Sequence, residues 1–181
     1  MPPRLLLVNG APGVGKSTLA QRYADAHPLA LVVDIDGLRT QLGQWADREE
    51  TRLVARELAI VLIDAHLRAG HDVVVAQYLG RPEFRVRLAD LAEAIGASFV
   101  EVLLTDDPAR VVERFRTRRA DNVARGFRHP EGDLADDAID GEVRRSHDAL
   151  LADATARRIP IVSAADGPDR AYEQLMGVVA D

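Results

Sequence analysis

Gly10-Ala11-Pro12-Gly13-Val14-Gly15-Lys16-Ser17 is the stretch that settles how this chain folds. It follows an apolar run, Leu5-Leu6-Leu7-Val8, that reads as a buried strand, and it opens a stretch from about Gly15 to His27 that reads as a helix. The eight residues match G-x-x-x-x-G-K-[ST] in full. Gly10, Gly13 and Gly15 permit a backbone in which successive N–H groups turn inward. The helix that starts there adds its positive end and unpaired amides. Ala11, Pro12 and Val14 complete the loop, and Thr18 supports its turn or caps the helix. A strand, loop and helix in this order form a cradle for an anion. With Lys16 aimed at the β- and γ-phosphates and the Ser17 hydroxyl on a magnesium ion, the expected ligand is ATP with Mg2+.

Working outward, apolar runs alternate with amphipathic stretches. Leu29 to Val33, Asp72 to Ala76, Ser98 to Leu104 and Ile159 to Val162 read as further strands. Helical segments lie between them, from Asp47 to Ala69, Pro82 to about Gly96, Asp107-Pro108 onward, and on to about Arg158, with a last helix opened by Pro168. Strands that are apolar on both faces and separated by helices imply a parallel sheet covered on both sides. A single domain over 1–181 is expected. The least core-like region, about 118–137, is rich in Arg, Asp, Gly and His and reads as a lid that closes over substrate.

Composition narrows the function. The 181 residues are 47% hydrophobic and 29% charged, with a formal net charge of −6 and no cysteine. Disulfides and thiolate metal sites are excluded. The acidic balance argues against broad coating of nucleic acid, which needs a basic field. No apolar run has membrane-spanning length and no signal peptide opens the chain, so a cytoplasmic protein is expected. Of the 23 basic residues only Lys16 is lysine. Either chance or the need for a compact ammonium where a guanidinium fork would not fit accounts for that exception.

The loop alone does not say what is done with the nucleotide. Asp34-Ile35-Asp36-Gly37 fits a D-x-x-G pattern, but the guanine-reading N-K-x-D cannot occur in a chain whose one lysine is Lys16. A motor would carry an acidic pair after the third strand, where this chain has Gln77-Tyr78. Carboxylates stand instead at the end of the second strand, the edge of a parallel sheet where ligands bind. Asp36 is expected to accept the proton of an acceptor hydroxyl, with Asp34 near magnesium or the acceptor. The bland alternative for Asp36 is a helix cap at Gly37. Arg39 and Tyr78 are placed on the acceptor, and Trp45 either lines that pocket or packs in the core. Arg110, Arg114 and Arg118 share one helix face by their four-residue spacing, and Arg119, Arg125 and Arg128 are expected in the loop that follows. Arg114 is placed on the nucleotide, and Arg118 and Arg119 on the charge that develops in the transition state. The turn Ser163 to Gly167 is placed over the base. Of the histidines, His129 in the lid is the one with a candidate role.

These features resemble the small P-loop kinases of the nucleoside-monophosphate-kinase type, the branch that includes shikimate and gluconate kinases, chloramphenicol phosphotransferase, zeta toxins and polynucleotide kinases. The resemblance rests on Gly10 to Ser17, on Asp34, Asp36 and Arg39, and on the arginine segment Arg114 to Arg128. It implies a three-layer P-loop NTPase α/β fold, with a five-stranded parallel sheet in the order 2-3-1-4-5 and an arginine-rich lid. It also implies transfer of the ATP γ-phosphate to a bound acceptor. The expected acceptor is a hydroxyl on a small molecule, with a polynucleotide or RNA end, or a regulatory ATPase without acceptor, as alternatives. A homodimer is compatible with this reading.

Overall fold

The computed structural model describes residues 2–124 and 136–180. Five parallel strands lie in the order β2-β3-β1-β4-β5, and the described residues include seven helices. The elements run β1 (Arg4–Asn9), α1 (Lys16–Ala26), β2 (Leu31–Val33), α2 (Ile35–Thr40), α3 (Thr51–Arg68), β3 (Val73–Ala76), α4 (Pro82–Ile95), β4 (Ser98–Thr105), α5 (Pro108–Ala124), α6 (Asp136–Arg157), β5 (Ile161–Ser163) and α7 (Pro168–Ala180). The expected α/β fold and strand order are therefore present. The chain divides into two compact units, Met1–Val8 with Ser17–Glu101, and Asn9–Lys16 with Val102–Asp181.

In the first unit β3 is the hub, pairing in parallel with β1 (Leu5 opposite Val73) and with β2 (Leu31 opposite Val73). Leu5, Leu7, Val33, Val73 and Val75 pack with Ala55, Ala59, Ile63 and Leu67 of α3 and with Phe84, Leu88 and Ala92 of α4. The small residues Ala55 and Ala59 let α3 lie close to the strands. Leu53, by contrast, is on the outer face of α3 and exposed. At the amino-terminal edge the buried Tyr23 hydroxyl donates to Asp72 Oδ2 at 2.7 Å, and the Arg4 amide donates to Asp72 Oδ1 at 2.8 Å. Burial, reinforced by Asp72, pushes the Tyr23 phenol well above its ordinary pKa, so it stays a neutral donor.

In the second unit β4 pairs with β5, Leu103 opposite Ile161. Val111 and Phe115 of α5 and Leu175 of α7 are buried. Arg116 of α5 makes a two-pronged bond to Asp140 of α6, at 2.8 and 2.6 Å.

Several boundaries differ from expectation for physical reasons. Asp47 to Glu50 are turn rather than helix, and α3 starts at Thr51. The helix after β2 starts at Ile35, two residues earlier than expected. Asp34, with extended backbone, caps it by accepting from the Gly37 amide at 3.0 Å. The capping role considered for Asp36 thus belongs to Asp34. Arg119, expected in a loop, lies on α5, which continues to Ala124. The part of the expected lid from 118 to 124 is helical; 125–135, with Arg125, Arg128 and His129, lies outside the described residues.

Candidate functional site

The loop from Gly10 to Lys16 belongs to the second unit, and its shape is dictated by close approach of backbone to backbone. A Cβ on Gly10 would sit 2.6 Å from the Leu104 carbonyl oxygen and 2.9 Å from Val14 Cγ1. At Gly13, where φ is +88°, a Cβ would sit 2.7 Å from the Val111 carbonyl oxygen and 3.0 Å from Phe115 Cβ. These glycines press the loop onto the end of β4 and the first turns of α5, and any side chain would push it off. Asn9, buried behind the loop, accepts from the Gly10 amide at 2.8 Å. Ala11 and Val14 are buried, Pro12 is half-buried, and Val14 N–H donates to Ala11. The Lys16 ammonium donates to the carbonyls of Gly10 at 2.9 Å and Ala11 at 3.0 Å. One compact head serving both carbonyls is what lysine allows. Ser17 and Thr18 are exposed on the opening turn of α1.

The arginine stripe is organised by a residue that sequence reasoning missed. Asp106 follows β4, and its side chain is 1% exposed. It accepts from the Asp107 amide at 2.7 Å, forms an ion pair with Arg110 at 3.3 Å, and pairs with Arg114. Its signal was present: stepping back four residues from Arg110 lands on it. Asp107 caps α5, accepting from the amides of Ala109 and Arg110. Arg110 Nη1 also donates to the Ala165 carbonyl at 3.3 Å, which ties α5 to the turn after β5. Arg118 is exposed, with its guanidinium 5.5 Å from the Phe115 ring, and Arg119 is half-buried.

In the first unit the ends of the paired strands β2 and β3 carry the acceptor candidates. Asp34 and Asp36 are both exposed. Asp36, in the first turn of α2, accepts from Gln77 Nε2 at 3.3 Å. Gln77, noted from sequence only as the lack of a carboxylate, continues the β1–β3 ladder through its amide to Val8 and brings its side chain to Asp36. Tyr78 is half-buried and its hydroxyl lies over Gly80, 2.6 Å from where a Cβ would stand. Arg39 is buried rather than solvated. Its Nε donates to Thr51 Oγ1 at 3.1 Å and Nη2 to the Trp45 carbonyl at 3.4 Å, with the Trp45 ring 5.4 Å away. This arginine therefore staples the segment that joins α2 to α3. Among the described residues no group of three or more His, Cys, Asp and Glu forms a metal cage. No helix among them is long and apolar enough to cross a membrane.

A glycine-jammed loop with its lysine, set on a parallel sheet of this order, defines a P-loop protein of the kinase type. The chain belongs to the AAA-domain family, whose model matches residues 5–136. It is 32% identical to an adenylate kinase of Deinococcus radiodurans, across 96% of this chain and 95% of that one. Among solved structures it is similar to the tunicamycin resistance protein of Deinococcus radiodurans, with a TM-score of 0.64, 17% identity, and 99% and 96% of the two chains covered. It is also similar to a gluconokinase of Sinorhizobium meliloti, with a TM-score of 0.56, 16% identity, and coverage of 99% and 92%. The two structural likenesses show the fold.

Proposed function

We propose that this protein is an ATP-dependent phosphotransferase that moves the γ-phosphate to a hydroxyl of a small molecule. The carrying observation is Asp36, an exposed carboxylate in the first turn of α2, just past β2, that is steadied by Gln77 from the end of β3. A hydroxyl is a poor nucleophile until a base takes its proton, and a carboxylate within hydrogen-bond reach can do so. Asp36 accepts the proton as the acceptor oxygen bonds to the γ-phosphorus, and the bridging oxygen leaves with ADP. The loop amides and Lys16 hold the phosphates, and Arg114, Arg118 and Arg119 face the charge spread over the γ-oxygens. Asp34 and Tyr78 contact the acceptor, and Arg39 holds the segment beside it. Magnesium at such sites keeps several waters and takes few protein ligands, so the exposed Ser17 hydroxyl suits it; bound there, it would screen the phosphate charge.

A second reading is favoured by the likeness to an adenylate kinase, in which the acceptor would be the phosphate of a nucleoside monophosphate. Electrostatics weigh against it. A phosphate acceptor arrives already ionised and needs no base. Asp34 and Asp36 would repel it, while Arg39 is engaged with Thr51 and Trp45. The test is a screen with γ-labelled ATP against sugars, other alcohols, nucleoside monophosphates and oligonucleotide ends. Label on a hydroxyl, lost in Asp36→Asn with ATP affinity kept, supports the proposal. Conversion of AMP to ADP at a rate that Asp36→Asn leaves unchanged would overturn it.

A further inference from the structure

We propose that Asp106 is a positioning residue that sets the guanidinium of Arg114 for the nucleotide phosphates. This rests on the reading above only in that the chain binds ATP at the Gly10 to Ser17 loop. A carboxylate that is 1% exposed is stable only when paired and hydrogen-bonded. Asp106 meets that need through Arg114, Arg110 and the Asp107 amide. The asymmetry lies on the other side of each pair, since Arg114 is 46% exposed and Arg110 53%. Arg114 is gripped by Asp106 through Nη2 while part of its five-donor fork faces outward; Arg110 is held by Asp106 and by the Ala165 carbonyl.

The anchor and the loop share one scaffold. Gly10 lies against the carbonyl of Leu104, two residues before Asp106, and Gly13 lies against Val111 and Phe115, on either side of Arg114 in the sequence. Thr105, the neighbour of Asp106, is itself held, with its Oγ1 3.0 Å from Nε2 of the buried His147. Arginine on an exposed helix face has many rotamers to lose on binding an anion. An arginine already pinned by a buried carboxylate loses fewer, which is the physical content of pre-organisation. Arg118 and Arg119, further along α5, are not bonded to Asp106 and would not depend on it.

The test is a double-mutant cycle on affinity for a fluorescent ATP analogue with magnesium, using the full chain. Arg114→Gln and Asp106→Asn are each expected to weaken ATP about tenfold, and the double variant by little more than either alone. AMP, which has a single phosphate, should lose less. Additive effects, about a hundredfold together, or unchanged ATP affinity in a folded Asp106→Asn, would refute the assignment and leave Asp106 a structural ion pair. If Asp106→Asn does not fold, Asp106→Glu keeps the charge and displaces the fork by one methylene, and the same cycle applies. A chain that binds ATP but phosphorylates no hydroxyl leaves this inference standing, so the two readings fail separately.

Discussion

The turn from Gly10 to Ser17 and the turn from Asp34 to Gly37 each lead from a strand into a helix, yet they are made of different materials. The first is backbone. Its glycines abut the carbonyls of Leu104 and Val111, and its lysine folds onto the carbonyls of Gly10 and Ala11. The second is side chain. Asp34 closes the helix end, and Asp36 stands exposed with Gln77 donating to it. A backbone cradle of this kind suits a phosphate chain, because amides at a helix start are anion donors whatever side chains surround them. A side-chain site can be re-aimed by single substitutions at little cost to the fold.

Substitutions measure how far the contrast holds. Lys16→Ala should have the largest effect, about a 10³-fold fall in kcat/KM, because it removes a cation from the phosphates. Fluorescent-nucleotide titration should show weakened ATP as well, and tight ATP binding in this variant would sink the cradle. Asp36→Asn should follow, lowering kcat about 10²-fold or more with the KM for ATP unchanged. If ATP affinity fell in parallel, the two turns would not be functionally separate. Arg39→Ala should cost about 2 kcal/mol of stability through lost buried hydrogen bonds, read as a lower denaturant midpoint. A raised acceptor KM without that loss would instead make Arg39 a ligand of the acceptor. Asp34→Ala should cost about 1 kcal/mol as a lost helix cap, and Asp34→Asn almost nothing, since Asn caps equally well. Loss of transfer in Asp34→Asn would show that its charge matters beyond capping.

Legibility in the sequence follows the same division. The loop that opens α1 was fully readable because its pattern is local: glycine spacing, a lysine and a hydroxyl within eight consecutive residues. Strand order followed from the resemblance that this motif anchors. The edge after β2 and β3 was half-readable. Asp34 and Asp36 stood out, but which of them caps α2 depended on where the backbone left the strand. Gln77 read as a missing carboxylate until β3 brought it to Asp36. The arginine stripe showed its spacing but not its anchor, and Arg39, placed on the acceptor from sequence, is buried against Thr51 and Trp45.

By itself, then, the sequence determined the alternation of buried strands and helices and the glycine-rich loop that leads into α1, since both are written in short-range pattern and backbone permissiveness. Only the tertiary structure decided which charges are free to act. Asp106 and Arg39 are polar residues that any reading of composition would place at the surface. Their burial is set by partners four to twelve residues away and by the strands and helices that carry them. Burial, pairing and the direction of a side chain are properties of the packed chain, and no local run of residues encodes them.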